Sequence, residues 1–193
     1  IMDIKIISKS DFIVNNWSGG KTTELFIYPK GASLSKRDFI CRISSATFSS
    51  TSSVFSDFST YSRYLLALNG SLSVSHDNIY DRDLSAYEVE YFSGSWSTSS
   101  TNTLDCRDFN FIVKDGYESN LKILDKDKEY IPKRNGKLIL FSTSSYTLKT
   151  FSRIKKDIDI GSENIVLLSE ENDFYKLSID NNNSPVIVCE IIF

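Results

Sequence analysis

Arginine carries the side chain best shaped to grip a carboxylate, because its planar fork meets both oxygens at once. Arg42 and Arg63 both stand on strand-like segments otherwise made for burial. Residues two apart on a strand share a face. In FICRISSA, Phe39, Cys41 and Ile43 therefore lie on one side, and Ile40, Arg42, Ser44 and Ala46 on the other. Both sides carry apolar residues, so this strand is covered on both and Arg42 points into a protected space. Arg63 opens RYLLALNG, near the mouth of its strand. In LDCRDFNFIV, Phe109, Phe111 and Val113 share one face, while Cys106, Asp108, Asn110 and Ile112 share the other. In SLSVSH, His76 falls on the face of Leu72 and Val74. Two readings fit this set of inward polar groups. One is an internal network in which Asp108 pairs with Arg42 or Arg63 and Asn110 bonds the backbone. The other is a pocket whose few polar groups converge on a small ligand. His76 with Asp108 would supply an acid/base pair for an isomerase, epimerase or lyase that needs no metal; a packed structural histidine is the simpler reading of the same residue.

Other chemistries fail on spacing. NNWSGGKTTEL contains GGKTT, the tail of a phosphate-binding loop, but the first glycine that loop requires falls on Asn15. The run that follows, TTELFIYP, is rich in β-branched and aromatic residues, so the helix that completes such a site is missing as well. Gly19-Gly20 reads as a turn feeding a strand. With 1 histidine in the chain, a typical histidine-rich transition-metal site cannot be assembled, and neither metal nor cofactor is expected. No G-x-S-x-G is present, and the serines have no second histidine to choose among.

The elements that must hold these groups are short and alternating. FICRISSATF, YLLALNGSLSVSH, AYEVEYF, DCRDFNFIV, KLILFSTSSYTLKTF, NIVLLS, FYKLSI and PVIVCEIIF have strand composition between Gly, Asn, Asp and Ser turns. One short helix is expected near Ser10-Asp11-Phe12. An all-β chain of about a dozen strands, a sandwich or barrel, follows. The serine-rich stretch over 44–62 includes Phe48, Phe55, Phe58 and Tyr61, which marks a packed loop rather than a disordered tract. The charged run over 122–137 mixes signs and reads as a solvated connection between a longer first half and a shorter second one.

The 193 residues suit one domain or two fused small halves, and 22 basic against 25 acidic residues give no field that would draw nucleic acid or membrane. No apolar run approaches a membrane span. The first residues lack the basic and apolar regions of a secretory leader. Cys41, Cys106 and Cys189 are odd in number, widely spaced and set among apolar residues, so buried free thiols in a reducing cytoplasm are expected.

WSGGKTTELFIYP, DFICRISSATF, FSDFSTYSRYLLALNGSLSVSH, FSGSW and DFNFI, in that order, resemble the HutD/Ves family of cupin-like proteins over about residues 10 to 116. The resemblance implies a bicupin of the RmlC-like jelly-roll type: a single unit over 1–193 with two small β-barrels, the first at 1–120 bearing the motifs and a smaller half at 121–193. It also implies a cytoplasmic homodimer without secure enzymatic activity. The implied role is to bind a small polar or carboxylate metabolite, such as formylglutamate, with a regulatory part in histidine utilisation or stress. Residue by residue, Trp17, Thr23 and Glu24 match one motif, Arg42 and Ser44 a second, Arg63 a third, and Asp108 and Asn110 a fourth. With His76 these form the expected ligand-binding set. They overlap the inward polar residues, which favours the pocket. The chain departs from the pattern in lacking a longer glycine stretch after Trp17, and in carrying Thr60 where a turn glycine is usual.

Overall fold

The computed structural model describes residues 2–171 and 173–193. It is all-β. Among the described residues the strands are β1 (Met2–Ile7), β2 (Ile13–Trp17), β3 (Gly20–Tyr28), β4 (Cys41–Phe48), β5 (Ser52–Val54), β6 (Tyr61–Asn69), β7 (Leu72–His76), β8 (Tyr80–Leu84), β9 (Glu90–Ser93), β10 (Thr98–Asn102) and β11 (Arg107–Lys114). The remainder are β12 (Glu118–Leu124), β13 (Glu129–Tyr130), β14 (Gly136–Phe141), β15 (Tyr146–Phe151), β16 (Lys155–Ile160), β17 (Ile165–Glu170), β18 (Lys176–Asp180) and β19 (Val186–Ile192). The helix expected near Ser10 is one 3-10 turn, Lys9–Asp11.

Two compact units result, one of Phe12–Gly116 and one that joins the segment through Asp11 to Tyr117–Phe193. This corrects the expected division at residue 120 in two ways. The first strand leaves its sequence neighbours and pairs antiparallel with β17, Ile4 opposite Leu168. The charged run over 122–137 lies inside the second unit, where it ends β12 and forms β13, rather than linking the halves.

Each unit is built from the same jelly roll. In the first, a large sheet contains the order β4-β11-β6-β9 and a small sheet the order β5-β10-β7-β8. In the second, β12-β19-β14-β17 and β13-β18-β15-β16 repeat that order strand for strand. The chain is therefore a bicupin. β2 and β3 extend the first unit's large sheet beyond β4, and β1 extends the second's beyond β17.

Alternation decides what each sheet face does. In the first unit Leu65, Ala67, Leu72, Val74, Leu84, Phe92 and Cys106 form a cluster between the two sheets, and burial of each large side chain contributes roughly 1.5–3 kcal/mol. The opposite face of the large sheet is buried too, through Cys41, Ile43, Leu66, Phe109 and Phe111. The strand bearing Arg42 is thus covered on both sides, as its composition requires. The serine-rich stretch packs as expected: Phe58 and Tyr61 are buried with Phe39 and Ile112, and Tyr61 donates its hydroxyl to the Phe39 carbonyl at 2.8 Å. The three cysteines are buried free thiols.

Candidate functional site

The interior of the first barrel holds a cavity of about 410 Å³. Its polar lining includes Arg42 and Ser44 from β4, Arg63 from β6, and Asp108 and Asn110 from β11, with Asn15, Thr22, Ser53 and Ser56 beside them. Register explains the meeting. Asn110 stands opposite Ser44 on one side and Leu65 on the other, and Ile112 stands between Arg42 and Arg63. Alternation then aims Arg42, Ser44, Arg63, Asp108 and Asn110 into one space. The walls are apolar, with Leu34, Phe48, Phe55, Phe58 and Ile112 among them, and Trp17 closes one side.

The two arginines differ in one decisive respect. Arg42 donates through Nε to Glu24 Oε1 at 2.8 Å, so its charge is answered within the protein. Arg63 is 6% exposed, and no carboxylate of the described residues lies within ion-pairing distance of it. It donates through Nη1 to the Ser56 carbonyl at a long 3.4 Å. Oriented so that its oxygen meets a donor, the Asn110 amide accepts from Arg63 Nη2 at 2.6 Å and donates to the Tyr64 carbonyl at 3.3 Å. The Nε of Arg63 is buried with no partner. Phe55, Phe58 and Phe92 surround the guanidinium, with ring centroids 4.9–5.4 Å from its central carbon. Burial depresses its pKa to about 10.

Asp108 accepts from the Ala46 backbone N–H at 2.8 Å. Its own carbonyl receives the Ser45 hydroxyl at 2.6 Å, which Arg107 in turn contacts at 2.9 Å. Desolvation pushes the Asp108 carboxyl up to about 7, against the opposing pull of the Ala46 N–H, Arg63 and Arg107. Among the described residues Asp108 makes an ion pair with neither Arg42 nor Arg63, whereas Asn110 does bond the backbone, at the Tyr64 carbonyl. The cavity therefore holds a desolvated cation facing an acid whose pKa burial raises toward neutrality.

Two expected site residues lie elsewhere. Thr23 is opposite Ser45, whereas Thr22 and Glu24 are opposite Ala46 and Ser44. The cavity-facing residue is thus Thr22, which accepts from Trp17 Nε1 at 3.0 Å; Thr23 belongs to the other face. The signal was present in the sequence, since Glu24 and its neighbour cannot share a strand face. His76 is buried between the sheets but in a separate cluster. Its Nδ1 meets Thr98 Oγ1 at 2.8 Å and its Nε2 meets Glu90 Oε2 at 3.0 Å. Glu90 also receives Arg82 at 3.1 Å. Both imidazole nitrogens are committed, and the Phe92 ring, 4.7 Å from the His76 ring, also lies against Arg63. His76 does not join Asp108.

Thr60 adopts the left-handed backbone, φ 74°, which a β-branched residue tolerates poorly. The turn that leads into Arg63 keeps the geometry of a glycine turn without the glycine.

The second barrel offers no equivalent. At the level of Asn110 it carries Glu190, whose carboxylate accepts the Tyr130 hydroxyl at 2.6 Å and the Lys133 N–H at 2.9 Å. At the level of Arg63 it carries Gly136, opposite Ile192, where a Cβ would collide with that carboxylate. Leu138, Leu140, Tyr146, Leu148, Val186 and Val188 fill the rest. A hollow of about 480 Å³ in the same unit is lined by Thr150, Arg153, Lys156, Glu170 and Asp173 among others. Its Arg153 is solvent-exposed and already paired with Asp173 at 2.9 Å. Of these two hollows, the first-barrel cavity is the one lined by a buried cation without a counter-ion.

As for metal chemistry, the cavity lining contains neither histidine nor cysteine and one carboxylate, Asp108. No group of three or more His, Cys, Asp or Glu among the described residues is arranged to hold a metal ion.

The HutD family model matches residues 9–186. No curated protein matches the chain. Among solved structures, HutD from Pseudomonas fluorescens SBW25 in a formate condition is 21% identical, with 98% of each chain covered and a TM-score of 0.75. PA5104 from Pseudomonas aeruginosa PAO1, a conserved protein of unknown function, is 20% identical over 98% of each chain, with a TM-score of 0.76. Oxalate decarboxylase from Bacillus subtilis is 8% identical, covering 97% of this chain and 76% of its own, with a TM-score of 0.63. At these identities the likeness is one of fold.

Proposed function

Starting from the fact that this chain belongs to the HutD family, we propose that its first barrel binds a small metabolite through a carboxylate seated on Arg63. The observation that carries this reading is the buried Arg63 guanidinium, whose Nε has no partner and whose charge meets no carboxylate of the described residues. A desolvated cation without a counter-ion is costly. An incoming carboxylate would relieve it and satisfy the open donor in one step. Asn110 and Ser44 would read neighbouring polar atoms, Asp108 would donate or accept according to its protonation, and Trp17 would form the wall. Binding without an intrinsic metal is favoured by a lining that lacks imidazole and thiolate ligands.

Binding rather than turnover is supported by the separation of the titratable groups. The acid/base reading needs His76 beside Asp108, but the imidazole is already held by Thr98 and Glu90. A site that binds without a paired acid and base suits a sensor of metabolite level, the kind of regulatory role in histidine utilisation that the resemblance implies. Calorimetry against a panel of small carboxylates, formylglutamate included, tests the proposal. Arg63→Met should lower affinity at least about 30-fold, equivalent to ~2 kcal/mol for truncating one partner of a buried charged pair. Binding equal to wild type in that variant would discard the role of Arg63.

A further inference from the structure

Resting on the carboxylate reading above, we infer that the cavity selects a monocarboxylate with an apolar body, and that Glu24 is the residue that turns a second carboxylate away. The argument is a charge count. Four ionisable side chains stand in or against the cavity: Arg42, Arg63, Asp108 and, behind Arg42, Glu24. The guanidinium of Arg42 is neutralised by Glu24 at 2.8 Å, with both side chains largely buried. Arg63 remains without a counter-ion at ion-pairing distance, so with Asp108 protonated the site holds one unanswered positive charge, and a single anionic head satisfies it. A second carboxylate entering at Arg42 would meet a cation that already has its counter-ion, with the Glu24 carboxylate at close range. With Arg42 and Glu24 both largely buried, that repulsion is screened less than it would be between surface charges.

The walls give the rest of the ligand its character. Leu34, Ala46, Phe48, Val54, Phe55, Phe58 and Ile112 surround the polar floor, and Trp17 holds its indole in place through the Nε1 bond to Thr22. Phe48 meets Trp17 edge-on, with ring centroids 6.2 Å apart. A body that buries apolar surface gains more here than one that carries further charge. Arylacetic acids fit this description, whereas a dicarboxylate such as formylglutamate would have to break the Arg42–Glu24 pair.

The test is isothermal calorimetry with phenylacetate and glutarate on the intact protein and on Glu24→Gln. Wild type should bind phenylacetate at least about tenfold more tightly than glutarate. Freeing Arg42 in Glu24→Gln should shrink that ratio about tenfold or more. Glutarate binding to wild type as tightly as phenylacetate, or an unchanged ratio in Glu24→Gln, overturns the selectivity while leaving the carboxylate site intact. Binding of neither acid to wild type removes the carboxylate reading itself, and the selectivity with it. Where Glu24→Gln does not fold, the wild-type ratio decides alone.

Discussion

Replacing Asp108 by Asn removes a titrating group while keeping an oxygen to accept the Ala46 N–H, which in the parent is bonded at 2.8 Å. Desolvation raises the Asp108 carboxyl from 3.8 to about 7. Between roughly pH 4 and pH 7 the folded chain therefore keeps a proton that the unfolded chain has lost. Stability falls as pH rises through that window and is flat above it. At about 1.4 kcal/mol per unit the full shift corresponds to ~4 kcal/mol. Asp108 borders an open cavity, and water relieves part of the penalty, so ~1–3 kcal/mol is the expected size. Urea denaturation of both proteins at pH 5 and pH 8 measures it, because other titrating groups cancel in the comparison. The stability of Asp108→Asn relative to wild type should rise between those two pH values by about two-thirds of that amount, since the stretch from pH 4 to pH 5 lies below them. A second readout follows from the same proton. A carboxylate binds best when Asp108 is neutral, so wild-type affinity should weaken as pH rises above 7, up to tenfold per unit, while Asp108→Asn shows no such trend. A stability gap that stays constant from pH 5 to pH 8, or parallel binding profiles, would refute the reasoning.

Two other substitutions separate scaffold from site. Thr60→Gly relieves the left-handed strain at φ 74° and should stabilise the fold by about 0.5–1 kcal/mol after the entropy cost of glycine, read as a higher urea midpoint with carboxylate affinity kept. His76→Ala strips Thr98 and Glu90 of their buried partner and should cost about 2–4 kcal/mol of stability. Its binding enthalpy and affinity for a carboxylate should match wild type, whereas loss of affinity at unchanged stability would return His76 to the site.

The inward polar set was legible because alternation is a local property. Arg42, Asp108 and Asn110 each declare a face through their immediate neighbours, and the faces hold in the structure; for Arg63 the sequence shows only a place near the mouth of its strand. What alternation cannot supply is the partner across the barrel. Nothing local pairs Arg42 with Glu24 rather than with Asp108, since that choice depends on the register of β3 against β4. His76 was rightly placed inside, yet its neighbours Thr98 and Glu90 come from other strands and only the folded sheet selects them. Thr23 entered through motif matching and was overruled by the same period-two rule that succeeded elsewhere. The place of β1 in the second unit was missed because β1 pairs with β17 across most of the chain, and no compositional break marks such a contact. The aromatic walls from the serine-rich loop were readable as packed, but not as cavity lining.

The seat of the ligand can be observed directly by growing crystals with 4-bromophenylacetate and recording anomalous diffraction at the bromine edge. The bromine should lie in the first barrel among Phe48, Phe55 and Trp17, with carboxylate density within hydrogen-bonding distance of Arg63 Nε. Bromine found instead in the hollow beside Arg153 and Lys156, or a carboxylate that leaves Arg63 unpartnered, would contradict the assignment.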